Sequence, residues 1–383
     1  MFDFEKAAQK DKDFICGVWE KLDKKLSVVA KRSKEKIPYT TVNGVHDDRK
    51  GDRITWWTNG FWPGLMWLMY CGTKKEVYKE TAQCAEEHLD KAFENFDDLH
   101  HDVGFMWHIS AGVDYRVTGN KKSRARNLYA ASILASKYNP AGQFIRAWNW
   151  DPCVAIIDCM MNIPLLYWAS DEIGDSRFKQ IAMRHADTTM QNHVRPDGSV
   201  KHIVHYDSDT GEYIKCEGGQ GYDENSSWSR GQAWGLHGFV LSYIHTGKTE
   251  YLDTAKKIAH YFISCICNDG YIPRADFRSP EEPLLYDTTA GACAACGLLE
   301  LSRNVPALEG RLYYDAALKI LRVLDERFCN YSTDEDSVLQ MGTELWTNDP
   351  ERMKKVTHLP IIYGDYYFTE AIYKLKGFSL LFE

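Results

Sequence analysis

Four times along the chain an amphipathic helical pattern stops at a glycine and another begins within a few residues. These turns are Cys71-Gly72-Thr73-Lys74, Thr118-Gly119-Asn120-Lys121, Ile173-Gly174-Asp175-Ser176 and Thr246-Gly247-Lys248-Thr249. A fifth, near Asn304 to Glu309, uses proline instead. Glycine suits the left-handed position that ends a helix, so each turn reads as a helical hairpin with a short connection. The helices sort into two sets. One, expected near 58–71, 103–118, 153–173, 229–246, 287–303 and 364–376, is rich in Gly, Ala, Trp and Met. The other, near 74–95, 121–138, 176–193, 249–267 and 309–329 with 3–33 as a sixth, carries more Lys, Glu and Arg. Six apolar helices, each paired with a more polar one, predict an all-α (α/α)6 barrel. The last inner helix would meet the first outer one and close the ring, making 1–383 a single domain. An open helical solenoid is the structural alternative.

The segments leading into inner helices are long: roughly 34–57, 96–102, 139–152, 194–228, 268–286 and 330–363. Long loops at one end of a scaffold are where a site belongs. That end also gathers the N-termini of the inner helices, whose partial positive charge favours an anion. One loop carries a strand pattern: Val200, His202, Val204 and Tyr206 alternate after the Asp197-Gly198 turn, and a second turn follows at Asp209-Thr210-Gly211. This predicts a small β-ribbon over the barrel mouth.

Composition narrows the function. A net charge of −8 over 383 residues argues against a nucleic-acid binder. No apolar run reaches the roughly 18–20 residues a membrane helix needs. The start, MFDFEKAAQKDKDF, is charged and lacks an apolar h-region, so a cytoplasmic location is expected. Eleven cysteines is an odd number, and Cys71, Cys84, Cys159, Cys265 and Cys329 sit in apolar helical stretches, as reduced buried thiols would. Cys293 and Cys296 form a CxxC without a second pair at zinc spacing. Twelve Trp, 22 Tyr and 16 Phe make up 13% of the chain. Trp56, Trp57, Trp62, Trp148, Trp150 and Trp228 stand beside polar residues at loop-to-helix junctions, where flat faces suit sugar rings as well as a core. No phosphate loop, GxGxxG turn, GxSxG elbow or HExxH helix is present.

Four groups of residues can carry chemistry. Asp102, in His100-His101-Asp102-Val103-Gly104-Phe105, enters an inner helix. It reads as an N-cap, and equally as a carboxylate presented at the mouth beside an imidazole. Asp158 lies in Ala155-Ile156-Ile157-Asp158-Cys159-Met160-Met161-Asn162, read as mid-helix, with no Lys or Arg three or four residues away. Burial without a cation favours the neutral acid, which can donate a proton at neutral pH. The bland alternative is a structural Asp bonded to Asn162 or to backbone. Pro164 would kink this helix. Arg230 and Trp234 share a face of the helix opening at Ser229. An Arg in the first turn opposes the helix dipole, so it expects either a bound anion or a carboxylate such as Asp223 or Glu224. His202 and His205, three apart on a strand, point to opposite faces and are disfavoured as joint metal ligands.

Six stretches together resemble the unsaturated glucuronyl hydrolases, glycoside hydrolase family 88. They are Trp57-Thr58-Asn59-Gly60-Phe61-Trp62-Pro63-Gly64, His101-Asp102-Val103-Gly104-Phe105, Ile156-Ile157-Asp158-Cys159-Met160, Gly219-Gln220-Gly221, Trp228-Ser229-Arg230-Gly231-Gln232-Ala233-Trp234 and Ile362-Tyr363-Gly364-Asp365-Tyr366-Tyr367. They run in the family's order across nearly the whole chain. The resemblance implies an (α/α)6 barrel that hydrolyses oligosaccharides ending in a 4,5-unsaturated uronic acid. It makes Asp158 the general acid/base and Asp102 its assistant at the sugar. It places His202, Gln220, Arg230, Trp234, Trp57 and Trp148 in the same subsite, with His101 beside them.

That chemistry differs from the two-carboxylate scheme of ordinary glycosidases. The resemblance implies that Asp158 protonates C4 of a vinyl ether, that Asp102 stabilises the charge growing at C5, and that water adds there. No metal or organic cofactor is expected. The expected partners are unsaturated oligosaccharides, without nucleic acid or membrane, and a homo-oligomer stays open. Arg352, Lys354 and Lys355 in the loop 346–360 are expected at the second sugar, and at a sulfate if one is present. The rivals are an unsaturated rhamnogalacturonyl hydrolase acting on pectin fragments and a non-catalytic sugar-binding barrel.

Overall fold

The computed structural model of the chain describes residues 1–378. In chain order its helices are α1 (Phe4–Lys10), α2 (Lys12–Arg32), α3 (Phe61–Thr73), α4 (Glu76–Leu89), α5 (Ala111–Thr118), α6 (Lys121–Ser136), α7 (Pro164–Ile173), α8 (Ser176–Asn192), α9 (Ser229–Thr246), α10 (Thr249–Ile266), α11 (Thr288–Arg303), α12 (Ala307–Arg327), α13 (Pro350–Val356) and α14 (Ile362–Leu375). Burial separates two kinds. Every residue of α14, and of α11 from Thr288 to Ser302, is buried. A helix with no polar face must sit inside. α10 instead buries Tyr251, Thr254, Ala255, Ile258, Ala259, Phe262 and Ile266, the three-and-four spacing of one face.

The inner units touch in order: α3, then 104–118, 157–173, α9, α11 and α14, which returns to α3. α4, α6, α8, α10 and α12 each back the inner unit before them, and α2 backs α14 and α3. The result is the (α/α)6 barrel that the paired patterns predict. Lys25 of α2 locks the closure. Its buried ammonium donates to the carbonyls of Asn330 at 2.6 Å and Ser337 at 2.5 Å. Asp365 of α14 accepts the N–H groups of Val338 and Leu339 from the same loop.

The expected helix 153–173 is three pieces: a strand over Val154–Ile156, a 3-10 turn over Ile157–Met161, and α7. Strands β1 (Thr41–Val42), β2 (Val45–His46), β3 (Tyr138–Asn139) and β4 (Phe144–Ile145) form two short ribbons. β5 (Val154–Ile156) adds to β6 (Ile203–Tyr206) and β7 (Tyr213–Glu217), so the expected two-stranded ribbon is a three-stranded antiparallel sheet. A short apolar run has no period that tells strand from buried helix. Pro164 stands in the first turn of α7, where its missing N–H breaks no helical bond, and kinks nothing.

Three other boundaries differ. The helix expected at 103–118 opens as a π turn over Gly104–His108 before α5. The stretch 3–33 breaks at Asp11 into α1 and α2. α3 runs through Gly72, and Lys74 takes the left-handed cap at φ 61°. A Cβ on Gly72 would come within 2.4 Å of the Trp19 ring, so this glycine serves the packing of α3 on α2. Gly119, Gly174 and Gly247 do end their helices in left-handed geometry.

Candidate active site

Residues at the starts of the inner units converge. Asp102 precedes the π turn and is buried. Its Oδ2 lies 3.2 Å from His100 Nδ1 and 3.3 Å from His101 Nε2. Its Oδ1 accepts from Asn162 Nδ2 at 3.1 Å. Burial pushes the Asp102 carboxyl up, but His101 and His100 outweigh it and hold the group well below the usual carboxylate range. Burial likewise pushes His101 down, yet Asp102 raises it well above an ordinary imidazole. The two form an internal ion pair.

Asp158 sits on the 3-10 turn directly after β5, not in mid-helix. Asn162 Nδ2 donates to the Asp158 carbonyl at 3.3 Å while holding Asp102, and its Oδ1 accepts from Phe105 N at 2.8 Å. One buried amide therefore ties the segments that carry the two acids. Gly104 makes room for it, because a Cβ there would lie 2.6 Å from Asn162 Cα. Across the sheet, Ile156 pairs with Ile203, and Ile157 N donates to His202 O. That register sets His202 beside Asp158, with Nε2 3.4 Å from Oδ1. His202 Nδ1 accepts from Gln220 N at 3.0 Å, which leaves the proton of a neutral ring on Nε2, facing Asp158. His205 turns to Glu217 instead, at 3.1 Å.

Arg230, in the first turn of α9, is buried. Its Nη1 donates to Asp287 Oδ2 at 2.6 Å and to the Thr343 carbonyl, and its Nη2 to the Glu344 carbonyl at 2.7 Å. Its compensating carboxylate is the N-cap of α11, rather than Asp223 or Glu224. Burial works against its charge, and the Asp287 carboxylate paired with it keeps it cationic. Gln220 Nε2 reaches the Glu344 carbonyl at 2.7 Å, so the sheet and the last loop meet there. Trp57 stacks on Tyr363 with centroids 5.2 Å apart and leans on Phe105. Trp234 is fully buried against Phe105 and Tyr367. Trp148 stacks on Trp150 at 5.5 Å and packs on Val154, Ile156 and Ile203 of the sheet.

Asp287, Glu344 and Tyr363 were not read from the sequence as site residues. Asp287 shows a cap signal before Thr288-Thr289, but its partner Arg230 is 57 residues away and no local pattern joins them. Among the described residues, two groups bring three metal-type donors together: His100, His101 and Asp102, and, elsewhere, Glu35, Cys84 and His88. A protonated His101 paired to Asp102 offers no lone pair to an ion, so the first group reads as an ion pair. Among the described residues no helix is long and apolar enough to cross a membrane.

Turns at the starts of the inner units gather two buried carboxylates among aromatic faces, and with the (α/α)6 barrel they define a glycoside hydrolase. A family profile described as Glycosyl Hydrolase Family 88 matches residues 29–271. The unsaturated glucuronyl hydrolase of Bacillus sp. (strain GL1) is 34% identical over 335 residues, covering 84% of this chain and 86% of that protein. The unsaturated chondroitin disaccharide hydrolase of Streptococcus pneumoniae (strain ATCC BAA-255 / R6) is 32% identical over 326 residues, covering 83% and 81%. A crystal structure of unsaturated glucuronyl hydrolase from Streptococcus agalactiae superposes with a TM-score of 0.86 at 30% identity, over 96% of this chain and 93% of that one. The chain belongs to glycoside hydrolase family 88 and is a glycosidase.

Proposed function

We propose that the chain releases the 4,5-unsaturated uronic acid from the non-reducing end of lyase-generated oligosaccharides, glycosaminoglycan-type disaccharides first. The observation that carries this reading is the unequal pair of acids. Asp102 is held ionised by His101 and His100, while Asp158 faces His202 and makes no ion pair with Lys or Arg among the described residues. The relatives' names point the same way, and a variant of the Streptococcus agalactiae enzyme has been solved complexed with dGlcA-GalNAc6S.

Asp158 gives its proton to C4 of the C4=C5 bond. Positive charge grows at C5 and the ring oxygen, where the Asp102 carboxylate stabilises it. Water adds at C5 and returns a proton to Asp158, so the acid is regenerated. The resulting hemiketal opens, and C1 then lets go of the remaining sugar as an alcohol. Protons and water suffice for every step. Trp57 with Tyr363 forms a platform for the ring, His202 and Gln220 line its edge, and Trp148 stands at the rim. Arg230 supplies positive potential for the substrate carboxylate while pinning the loop that carries Glu344. Trp234 supports the floor, and His101 acts through Asp102. The chain 1–383 works as one catalytic domain. Its eleven free cysteines suit a reducing compartment, and we place it in the cytoplasm.

The test follows the ultraviolet absorbance of the C4=C5 bond across a panel of lyase products, pectin-derived ones included. Asp158→Asn should lower kcat about 10²–10⁴-fold while still binding substrate. Turnover retained in that variant removes Asp158 from its role, and a wild-type chain that consumes nothing on the panel sinks the activity. Arg352, Lys354 and Lys355 ride on α13, in the same loop as Thr343 and Glu344. We place them at the second sugar and its sulfate. Lys354→Ala with Lys355→Ala should slow sulfated substrates selectively, and equal, unchanged rates on both kinds reject the assignment.

A further inference from the structure

Beneath two of the segments that feed the mouth lies a group of side chains the chemistry above does not use. Cys84 and His88 are four apart on α4 and share a face. Glu35 stands just past the end of α2. Cys84 Sγ is 3.4 Å from Glu35 Oε1, His88 Nε2 is 3.3 Å from Glu35 Oε2, and Sγ and Nε2 are 3.8 Å apart. A zinc ion bound at about 2.3 Å to sulfur and about 2.1 Å to nitrogen would see Cys84 and His88 at roughly 120°, and Glu35 turns Oε1 to the sulfur and Oε2 to the nitrogen. That angle is close to tetrahedral. One donor atom from each of the three side chains lies within 4.8 Å of the other two, and a rotation of the exposed Glu35 carboxylate brings one oxygen to the same ion.

We propose that Glu35, Cys84 and His88 form a zinc site on the outer wall of the barrel, a structural clamp separate from catalysis. The donor set argues for the metal. A thiolate and an imidazole with one carboxylate suit zinc rather than magnesium or calcium, which prefer oxygen. The Cys84 thiol donates to Glu35, and zinc would take the place of that proton, which leaves to solvent. The Glu35 side chain is 68% exposed, so water can fill the fourth position. The surrounding charge is mixed. Lys34 pairs with Glu80 at 2.9 Å, Lys50 reaches the Glu35 carbonyl, and Glu87 also acts on Cys84. Glu35 roots the segment that leads to Trp57, and His88 ends the helix before the segment that leads to Asp102. A metal here ties the two roots together. Ligand binding to the folded state alone also raises stability with metal concentration.

Cobalt titration of the full-length chain, stripped with a chelator, tests this apart from the hydrolase reading. One Co2+ per chain should bind with thiolate-to-metal absorption, and Zn2+ should displace it and raise the thermal midpoint. Cys84→Ser, His88→Ala and Glu35→Gln should each weaken Co2+ at least tenfold, while Cys267→Ala, at an exposed thiol elsewhere, should not. Glu35→Gln lies at an exposed position and leaves the fold readable. Absence of the thiolate band, or its survival in Cys84→Ser, overturns the site.

Discussion

At the residue scale, neighbours rather than residue type decide the charge of Asp102. Asp102 and His101 are both buried, and each counters the desolvation of the other. The signs give a pH window. Asp102 has a folded pKa below its unfolded one, so its contribution is complete above the unfolded value and fades as pH falls. His101 has a folded pKa above its unfolded one, so its contribution is complete below the unfolded value and fades as pH rises. The difference in thermal midpoint between wild type and His101→Gln should thus peak between about pH 4 and 6.5 and narrow on either side. A difference that keeps widening above neutrality contradicts the pair. Asp102, Asp158 and His202 were legible as candidates because carboxylates and imidazoles stand out beside apolar runs. That Asn162 ties the two acid segments was not, because it holds Asp102 from 60 residues away.

At the element scale, irregular turns rather than helices present the site. The 3-10 turn Trp57–Gly60 presses on the π turn Gly104–His108. A Cβ on Gly60 would meet the Phe105 and Met106 carbonyls at 2.1 and 2.3 Å. Gly60→Ala should cost about 1–3 kcal/mol in urea denaturation and also lower kcat, since the displaced turns carry Trp57 and Asp102. Gly119→Ala meets open space at φ 75°, and should cost only about 1–2 kcal/mol of backbone strain with turnover unchanged. Equal loss of kcat in both would mean that the effect is global. Hairpin turns and amphipathic faces were readable locally. β5 was not, because Val-Ala-Ile becomes a strand only by pairing with a partner about 50 residues on.

At the scale of the whole molecule, the barrel closes through buried polar links as well as apolar faces. Lys374 of α14 lies 2.6 Å from Glu300 of α11 and 3.1 Å from Glu370, with all three side chains buried. Burial pushes the Glu370 carboxyl up, and Lys374 pulls it back. Lys374→Met removes the cation nearest to both Glu300 and Glu370, with Arg303 still 3.8 Å from Glu300, and should cost about 3–5 kcal/mol at neutral pH. Without Lys374 the folded pKa of Glu370 lies further above its unfolded value, so the deficit should shrink as pH falls towards about 4.3 and grow as it rises. Thermal midpoints across that range are the measurement. A deficit independent of pH would mean lost packing rather than uncompensated charge.

Local periodicity alone settled the helix pairs and their inner and outer assignment, because burial on one face or on all faces is written into the spacing of apolar residues. Tertiary structure alone decided which charges neutralise which. Arg230 meets Asp287, His202 meets Asp158, and Asn162 spans two inner units, because electrostatic and hydrogen-bonding partners are chosen by distance in space and the chain has no short-range record of it.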